Sequence, residues 1–460
     1  MAAKLEALTA ELDALKRQVH GKKSERRNAT KLPPPVAPAK PSSEATLAKR
    51  RAAAELRNAR IETADEEVPV PADKRDCPVC GTTDMPRMGA EKESNIIDYV
   101  PGSFRRKRFL REMLACRCGK HIVTAPAPDR VGEGTRYAPG FVAHLVVSKC
   151  ADSAAQYRLE KAFARVGIPI ARSTMNDLFH RAADELRPLW MRMRTRVAQA
   201  SHVAADETTI AMRGKATKAY IWTFLTDELT LYVFATGRSG ETPKAVLGNS
   251  QGSLLCDAYT GYNHVSQVGR RLRAGCNAHA RRKIHDVREV AEAEAALDLY
   301  RQLYEVERDA KKEGLLGTAA HLAMRREKSR AAFARLLAWA RGAPKQNGPK
   351  TKLGKAAGYL VNNFRELGRF LRDPKLAPDN NAAERALRRV ALGRKTFLFV
   401  SGKKGGENLA ILYSLVASCE QHGKNPLAYV TDVLLRIGAH PAARIDELLP
   451  DRWQPPDAAG

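Results

Sequence analysis

The chain is short of negative charge, of long apolar runs and of the common nucleotide-binding loops, and each shortage narrows what it can do. It holds 51 Asp and Glu against 78 Lys and Arg, a formal net charge of +27. An excess of that size is best matched by a polyanion, most simply DNA or RNA. A soluble protein with a solvated basic surface is the plainer account, and charge alone leaves the two even. No run of about 18 apolar residues occurs, so no membrane-spanning helix is expected. The charged N-terminus lacks an apolar signal core, which predicts a cytoplasmic protein. No Ser/His/Asp set stands out, and Gly402-Lys-Lys-Gly405-Gly406-Glu-Asn408 lacks the Walker arrangement of a phosphate-binding loop. Cysteine is sparse, with eight residues. In a reducing compartment these are not expected to form disulfides, and four of them cluster.

At 460 residues the chain exceeds one ordinary core, and its composition divides it. Residues 1–27 carry Leu5, Leu8, Leu12, Leu15 and Val19 at alternating spacings of three and four, a leucine-zipper-like seam of about two heptads. It serves either self-association or the packing of one amphipathic helix. Residues 28–70 hold a stiff Pro-rich, basic linker and then an Ala-rich helix around 46–60. A module at 71–130 is enclosed by Cys77-Pro-Val-Cys80-Gly81 and Cys116-Arg-Cys118-Gly119. Two thiolate pairs, each followed by Gly, suit one tetrahedral Zn²⁺ in a zinc knuckle. Four ordinary reduced cysteines are the alternative, and His121 stands where it could replace one sulfur. Between the pairs, Arg105, Arg106, Lys107, Arg108 and Arg111 interleave with Phe104 and Phe109. That is either a phosphate grip on packed aromatics or a solvated hairpin.

Residues 131–198 read as helices. One spans 157–166, Gly167-Ile-Pro169 breaks it, and Ser173-Thr174 is the expected cap of a helix reaching His180. The outline is helix-turn-helix-like, although most such helix pairs in globular proteins do not bind DNA. From 199 to 290 the pattern turns to strands. His202-Val-Ala-Ala-Asp206 is expected to end in its carboxylate. Tyr220–Leu225 and Leu229–Phe234 flank a Thr-Asp-Glu turn and read as a hairpin. A helix at 241–247, a strand ending at Asp257, a strand at 271–276 and a basic helix from Ala278 follow. Residues 291–372 are mostly helical, with Leu299, Leu303 and Val306 on one buried face and a Gly/Pro/Lys break at 342–355. They read as an insertion, after which 373–420 complete the core. The expected fold is multidomain α/β: a ribonuclease-H-like (retroviral-integrase-like) core interrupted by helices, with N-terminal helical and zinc-knuckle modules.

The chemistry rests on three separated acids, Asp206, Asp257 and Glu384. Taken singly, each has a plain role: the aspartates cap turns, and Glu384 pairs with Arg388 one helical turn on. Taken together, with two of them at strand ends in a very basic chain, they suit a divalent-metal site acting on a phosphate backbone. Phosphodiester transfer needs an activated nucleophile and a stabilised leaving oxygen, which two Mg²⁺ (or Mn²⁺) ions about 4 Å apart provide. Carboxylates are their natural ligands. Asp379-Asn380-Asn381 is the expected start of the Glu384 helix. Arg281, Arg282, Arg385, Arg388, Arg389, Arg394 and Lys395 are placed to neutralise DNA beside the metals, or to form solvated faces. Cys276-Asn-Ala-His279 offers two metal ligands, too few alone. A buried Cys and a hydrogen-bonding His supporting the acidic site is the plainer reading.

These residues resemble bacterial transposases of the insertion-sequence-66 family. The pieces carrying the resemblance are Ala205-Asp206-Glu207-Thr208, Cys256-Asp257-Ala258-Tyr259, Cys276-Asn-Ala-His279-Ala-Arg-Arg, Asp379-Asn-Asn-Ala-Ala-Glu384-Arg-Ala-Leu-Arg, Gly393-Arg-Lys395, Tyr413-Ser-Leu415, Asn425-Pro-Leu-Ala-Tyr429 and Asp446-Glu-Leu-Leu-Pro450 near Trp453. Gly21-Lys-Lys-Ser-Glu25 is similar to the family's N-terminal basic motif. The resemblance implies a DDE transposase with Asp206, Asp257 and Glu384 as its acids. Such an enzyme hydrolyses a strand at each element end, and the freed 3′-hydroxyl attacks target DNA. It also implies an N-terminal DNA-binding part, one structural Zn²⁺ at Cys77, Cys80, Cys116 and Cys118, and a C-terminal element at 421–460. The expected partners are DNA, other copies of the chain on DNA and small accessory proteins, at the bacterial nucleoid. The chain departs from the family at Cys116-Arg-Cys118, shorter than the usual second pair, and at Ala258, where Gly is common. The rival readings are an inactive relative that binds element ends and a zinc-containing DNA-binding regulator.

Overall fold

The computed structural model describes residues 136–214, 218–267 and 269–455. It also describes residues 102–106, 108–115, 122–125 and 131, and residues 44, 48, 51, 52 and 55. Met1–Tyr99 and Val100–Gly460 are separate compact units. The five described residues of the first are helical, and four of them fall inside the Ala-rich helix expected around 46–60. The heptad seam, the linker, Cys77, Cys80, Cys116, Cys118, His121 and Lys107 lie outside the described residues.

In the second unit, β1 (Met113–Ala115) and β2 (Ile122–Thr124) form a two-stranded antiparallel ribbon. Arg111 Nε donates to Ala125 O at 2.6 Å beside it. Helix α1 (Pro139–Cys150) starts on a proline, whose fixed φ suits the first helical position. Helix α2 (Gln156–Arg165) ends before Gly167, which takes a φ of +79° to turn the chain. Helix α3 (Arg172–Glu185) differs from expectation at both ends: Ser173 and Thr174 lie inside its first turn, and it runs past His180. Ala171 precedes it with no side-chain cap. Ile170 and Met175, buried just before and just inside the helix, occupy the two positions of a hydrophobic staple, which sets the entry angle without a hydroxyl. Helix α4 (Arg187–Gln199) leads into the sheet.

The sheet has β3 (His202–Met212) at its centre. On one side lie β4 (Ala219–Leu225) and β5 (Thr230–Ala235), each antiparallel to its neighbour. On the other lie β6 (Ser253–Cys256) and β7 (Leu272–Gly275), both parallel. The order is β5-β4-β3-β6-β7. The hairpin turns as read, with Thr226 N–H donating to Leu229 O at 2.8 Å. Helix α5 (Glu241–Leu247) crosses over between β5 and β6. Strand β3 does not end at Asp206. The β-branched Thr208-Thr209-Ile210 continue it, paired with β4 as far as Ile210↔Ala219. Its parallel pairing with β6 stops at Ala204, so Asp206 stands where β3 has outrun its neighbour.

After helix α6 (Asn277–His285) comes the insertion: α7 (Ala291–Lys312), α8 (Ala319–Met324), a π-turn at Arg325–Ser329, α9 (Arg330–Asn347), α10 (Lys352–Asn362) and α11 (Phe364–Leu367). Leu299, Leu303, Phe333, Leu336 and Leu360 are buried in a core that the insertion shares with Leu255 of β6 and Ala274 of β7. The expected break at 342–355 is confined to 348–351. Buried Ala340 and Ala343 carry α9 through Gly342, and Thr351 Oγ1 caps α10 by accepting from Gly354 N–H at 3.0 Å. Helix α12 (Asn381–Thr396) then returns to the sheet, followed by β8 (Phe399–Val400), α13 (Lys403–Gln421) and α14 (Pro426–Arg436). Helix α13 covers β5. Ser414 Oγ accepts Tyr232 N–H at 2.8 Å and Ser418 Oγ accepts Thr230 N–H at 3.0 Å, which closes the edge strand to further pairing. Among the described residues no helix is long and apolar enough to cross a membrane.

One buried side chain fastens the insertion to the segment feeding α12. Arg325 is 1% exposed. Its Nε and Nη2 each donate to Glu307 at 2.7 Å, and its Nη1 reaches the carbonyls of Phe370, Asp373 and Leu376 at 2.8–3.0 Å. Arg325→Met removes the Arg325 partner of Glu307, leaving it only His321 at 3.2 Å, and takes a donor from each of the three carbonyls; it is expected to cost about 3–5 kcal/mol. Chemical denaturation checks this, and the Glu307→Gln/Arg325→Met double variant should recover part of the loss.

Candidate active site

The site lies at the carboxyl end of β6 and beside the part of β3 that runs on past it, where open α/β sheets place their ligands. Asp206 is held by its own strand, its Oδ1 accepting Glu207 N–H at 2.9 Å. Asp257 follows β6 directly, and its Oδ1 accepts Tyr259 N–H at 2.9 Å. Glu384 sits in the first turn of α12. That turn is fixed from below: Asp379 Oδ1 accepts Asn381 N–H at 3.1 Å, as a capping residue does. Asn380, expected to cap as well, reaches across instead. Its Nδ2 donates to Ala205 O at 2.8 Å, and its backbone N–H donates to Cys276 Sγ at 3.2 Å. The helix carrying the third acid is therefore tied to the residue before the first.

The acids act on one another. The Asp206 carboxyl is pushed up to about 7, mainly by burial and further by the negative charges of Glu207, Asp257 and Glu384. Glu384 has neither Arg388 nor an aspartate as its close partner. Its Oε1 is 3.6 Å from His279 Nδ1 and its Oε2 is 3.6 Å from Arg282 Nη2. Among the described residues, the one trio of metal-ligating side chains whose donor atoms all lie within 4.8 Å is Cys276, His279 and Glu384; Asp206, Asp257 and Glu384 do not form one. Cys276 is fully buried, and burial pushes its thiol up to about 11. Hard oxygen donors whose charges already repel one another suit a divalent cation, so Asp206, Asp257 and Glu384 fit Mg²⁺ or Mn²⁺.

A fourth acid, Glu207, not among the residues expected in the site, organises the rim. The Glu207 side chain is 1% exposed, accepts Tyr262 Oη–H at 2.6 Å and pairs with Arg238, whose Nε donates at 2.7 Å. Arg238 stacks 4.0 Å above the Tyr259 ring, two residues after Asp257. Adjacency to Asp206 was the signal for Glu207; the loop residue Arg238 had none.

The expected DNA-contacting cations divide. Arg282, Arg385, Arg388 and Lys395 are exposed, as are Arg105, Arg106 and Arg108, while Arg281 is half-buried. Arg389 is committed within the fold, donating to Cys150 O at 2.5 Å and pairing with Glu420. Arg394 Nη1 donates to Thr208 Oγ1 at 3.0 Å and to Thr209 O at 2.9 Å, fastening α12 to β3. Of the aromatics at 104–109, Phe104 packs on Phe141 and Phe163, whereas Phe109 is exposed.

Asp206 standing beyond the β3–β6 pairing, Asp257 directly after β6 and a returning helix that bears Glu384, in a strongly basic chain, suit an α/β protein directed at a polynucleotide. The chain belongs to the IS66 transposase family. The family model described as "Transposase IS66 family" matches residues 134–408. The "IS66 C-terminal element" matches 414–450, and the "zinc-finger binding domain of transposase IS66" matches 74–119. Among curated proteins, three from Sinorhizobium fredii are similar. Uncharacterized protein y4hP is 28% identical over 83% of this chain and 74% of its own length. Uncharacterized protein y4jD is 30% identical over 84% and 80%, and uncharacterized protein y4qI is 31% identical over 80% and 72%.

The raised Asp206 carboxyl has a signed consequence. Its folded value, about 7, lies above its unfolded one, so the folded chain keeps a proton that the unfolded chain has lost. Metal-free stability therefore falls as pH rises from about 4 to about 7. Asp206→Asn should remove that part of the slope and be the more stable protein at pH 7.5 by at most about 4 kcal/mol. Denaturation of both chains in chelator across this window is the measurement.

Proposed function

We propose that the chain is a DDE-type DNA transposase, in which Asp206, Asp257 and Glu384 hold two Mg²⁺ (or Mn²⁺) ions against a DNA strand. The observation that carries this reading is the tie from Asn380 to Ala205, which fastens the start of the Glu384 helix to β3 at the residue before Asp206. The strand order β5-β4-β3-β6-β7, antiparallel on the hairpin side and parallel on the other, supports a ribonuclease-H-like core. The ions, when bound, supply charge stabilisation to the attacking and leaving oxygens of the phosphodiester. The protein's own part is to fix the strand. Arg238, held by Glu207 and stacked on Tyr259, presents a guanidinium at the rim. Arg282, Arg385, Arg388 and Lys395 add exposed positive charge around α6 and α12.

The reaction is hydrolysis of a strand at each element end, followed by attack of the freed 3′-hydroxyl on target DNA. Helices α2 and α3, with Arg105, Arg106 and Arg108, supply further contacts to the element ends. Cys77, Cys80, Cys116 and Cys118 hold one structural Zn²⁺; the match of the zinc-finger family to 74–119 supports this. The chain works in the bacterial cytoplasm, as an oligomer on DNA.

DNA carrying the element's terminal inverted repeats should be cut in Mg²⁺ or Mn²⁺. Glu384→Gln and Asp257→Asn should lose cleavage and keep binding. Cleavage that survives Glu384→Gln refutes the third ligand, and binding with no cutting by the wild-type chain leaves a DNA-binding relative. Metal analysis should find about one zinc per chain, lost in Cys77→Ser.

A further inference from the structure

Cys276 is the N-cap residue of α6 and is fully buried. Its Sγ accepts the backbone N–H of Asn380 at 3.2 Å. One helical turn on, His279 directs Nδ1 at Glu384 Oε1 across 3.6 Å, too far for a hydrogen bond. Both atoms are buried, and neither has a hydrogen-bond partner. Two orphaned polar atoms that face each other away from water are unfavourable, and a cation between them removes the deficit. The sulfur completes a trio whose donor atoms all lie within 4.8 Å.

The donor set decides which cation. Mg²⁺ takes oxygen ligands. Sulfur, imidazole and carboxylate together suit a thiophilic ion such as Zn²⁺, tetrahedral with water in the fourth position. Zinc bond lengths place tetrahedral donors about 3.3–3.6 Å apart. The His279–Glu384 pair already stands at 3.6 Å, so only the thiol has to close in.

We propose that Cys276, His279 and Glu384 form a second metal site, selective for thiophilic divalent ions of the zinc class. As the metal–sulfur bond forms, the thiol proton leaves to solvent, so the bound ligands are thiolate, neutral imidazole and carboxylate. Glu384 is shared between this site and the Mg²⁺ site. Zinc-class occupancy therefore withholds it from Asp206 and Asp257 and inhibits strand cleavage; this consequence rests on the transposase reading, whereas the binding does not.

Zn²⁺ alone tests the site, by equilibrium dialysis and metal analysis of the full chain with the zinc of residues 74–119 already in place. The wild type should bind one equivalent more than Cys276→Ser, and His279→Ala should weaken that equivalent by about 10–100-fold. Equal counts and equal affinities in all three chains overturn the proposal. Should Cys276→Ser fail to fold, His279→Ala decides alone, because its side chain is partly exposed. In the cleavage assay, Zn²⁺ added against Mg²⁺ should halve wild-type activity at a lower concentration than it halves that of His279→Ala. Equal sensitivity refutes the shared use of Glu384. A wild-type chain inert on DNA with every metal refutes the transposase reading and leaves the dialysis result to stand by itself.

Discussion

Every part of the site depends on the chain returning from the helical insertion to the central strand, and buried hydrogen bonds to backbone carbonyls hold that return. Arg325 gathers the carbonyls of Phe370, Asp373 and Leu376. Asn277 Nδ2 donates to Leu367 O and Pro378 O, both at 2.9 Å. His202 Nε2 lies 2.7 Å from Asp373 Oδ2, and Asn380 finishes the sequence at Ala205. A long loop has no intrinsic preference for one end point, because its closure cost changes slowly with length. Side chains that satisfy carbonyls otherwise stranded inside the protein supply the preference, since an unpaired buried carbonyl is costly.

That return brings a third acid toward two others in a chain of net positive charge. The rise in the Asp206 carboxyl comes mainly from burial, with the negative charges of Glu207, Asp257 and Glu384 adding to it. Glu207 is neutralised internally by Arg238 and Tyr262. Asp206 and Asp257 are held mainly by backbone N–H groups, which leaves lone pairs open to a cation. Glu384 has a choice of partners. In this structure it faces His279 and Arg282, each at 3.6 Å.

Much of the core was legible from period and turn chemistry. The hairpin and the helix at 241–247 are where alternation and the Thr-Asp-Glu turn placed them, the hairpin strands to within a residue, and the strand expected to end at Asp257 ends one residue earlier, at Cys256. The errors came where a distant contact outweighed a local preference. Thr208-Thr209-Ile210 extend β3 because β4 is there to pair with them. Ser173 and Thr174 lose the cap position to an entry set by buried Ile170. Gly342 is carried through α9 by packing on either side. Arg389 and Arg394 read as free cations but bond inside the fold, because α12 lies close to Cys150, Glu420 and β3.

Residue identity and short-range spacing were enough for the family, the three candidate acids, the basic balance and the alternation of strands and helices. Folding in three dimensions set which arginines are committed inside the protein and that Glu384 faces His279 and Arg282. Those outcomes depend on where a strand outruns its neighbour and on which carbonyls need a donor, and no spacing along the chain encodes either until the sheet has formed.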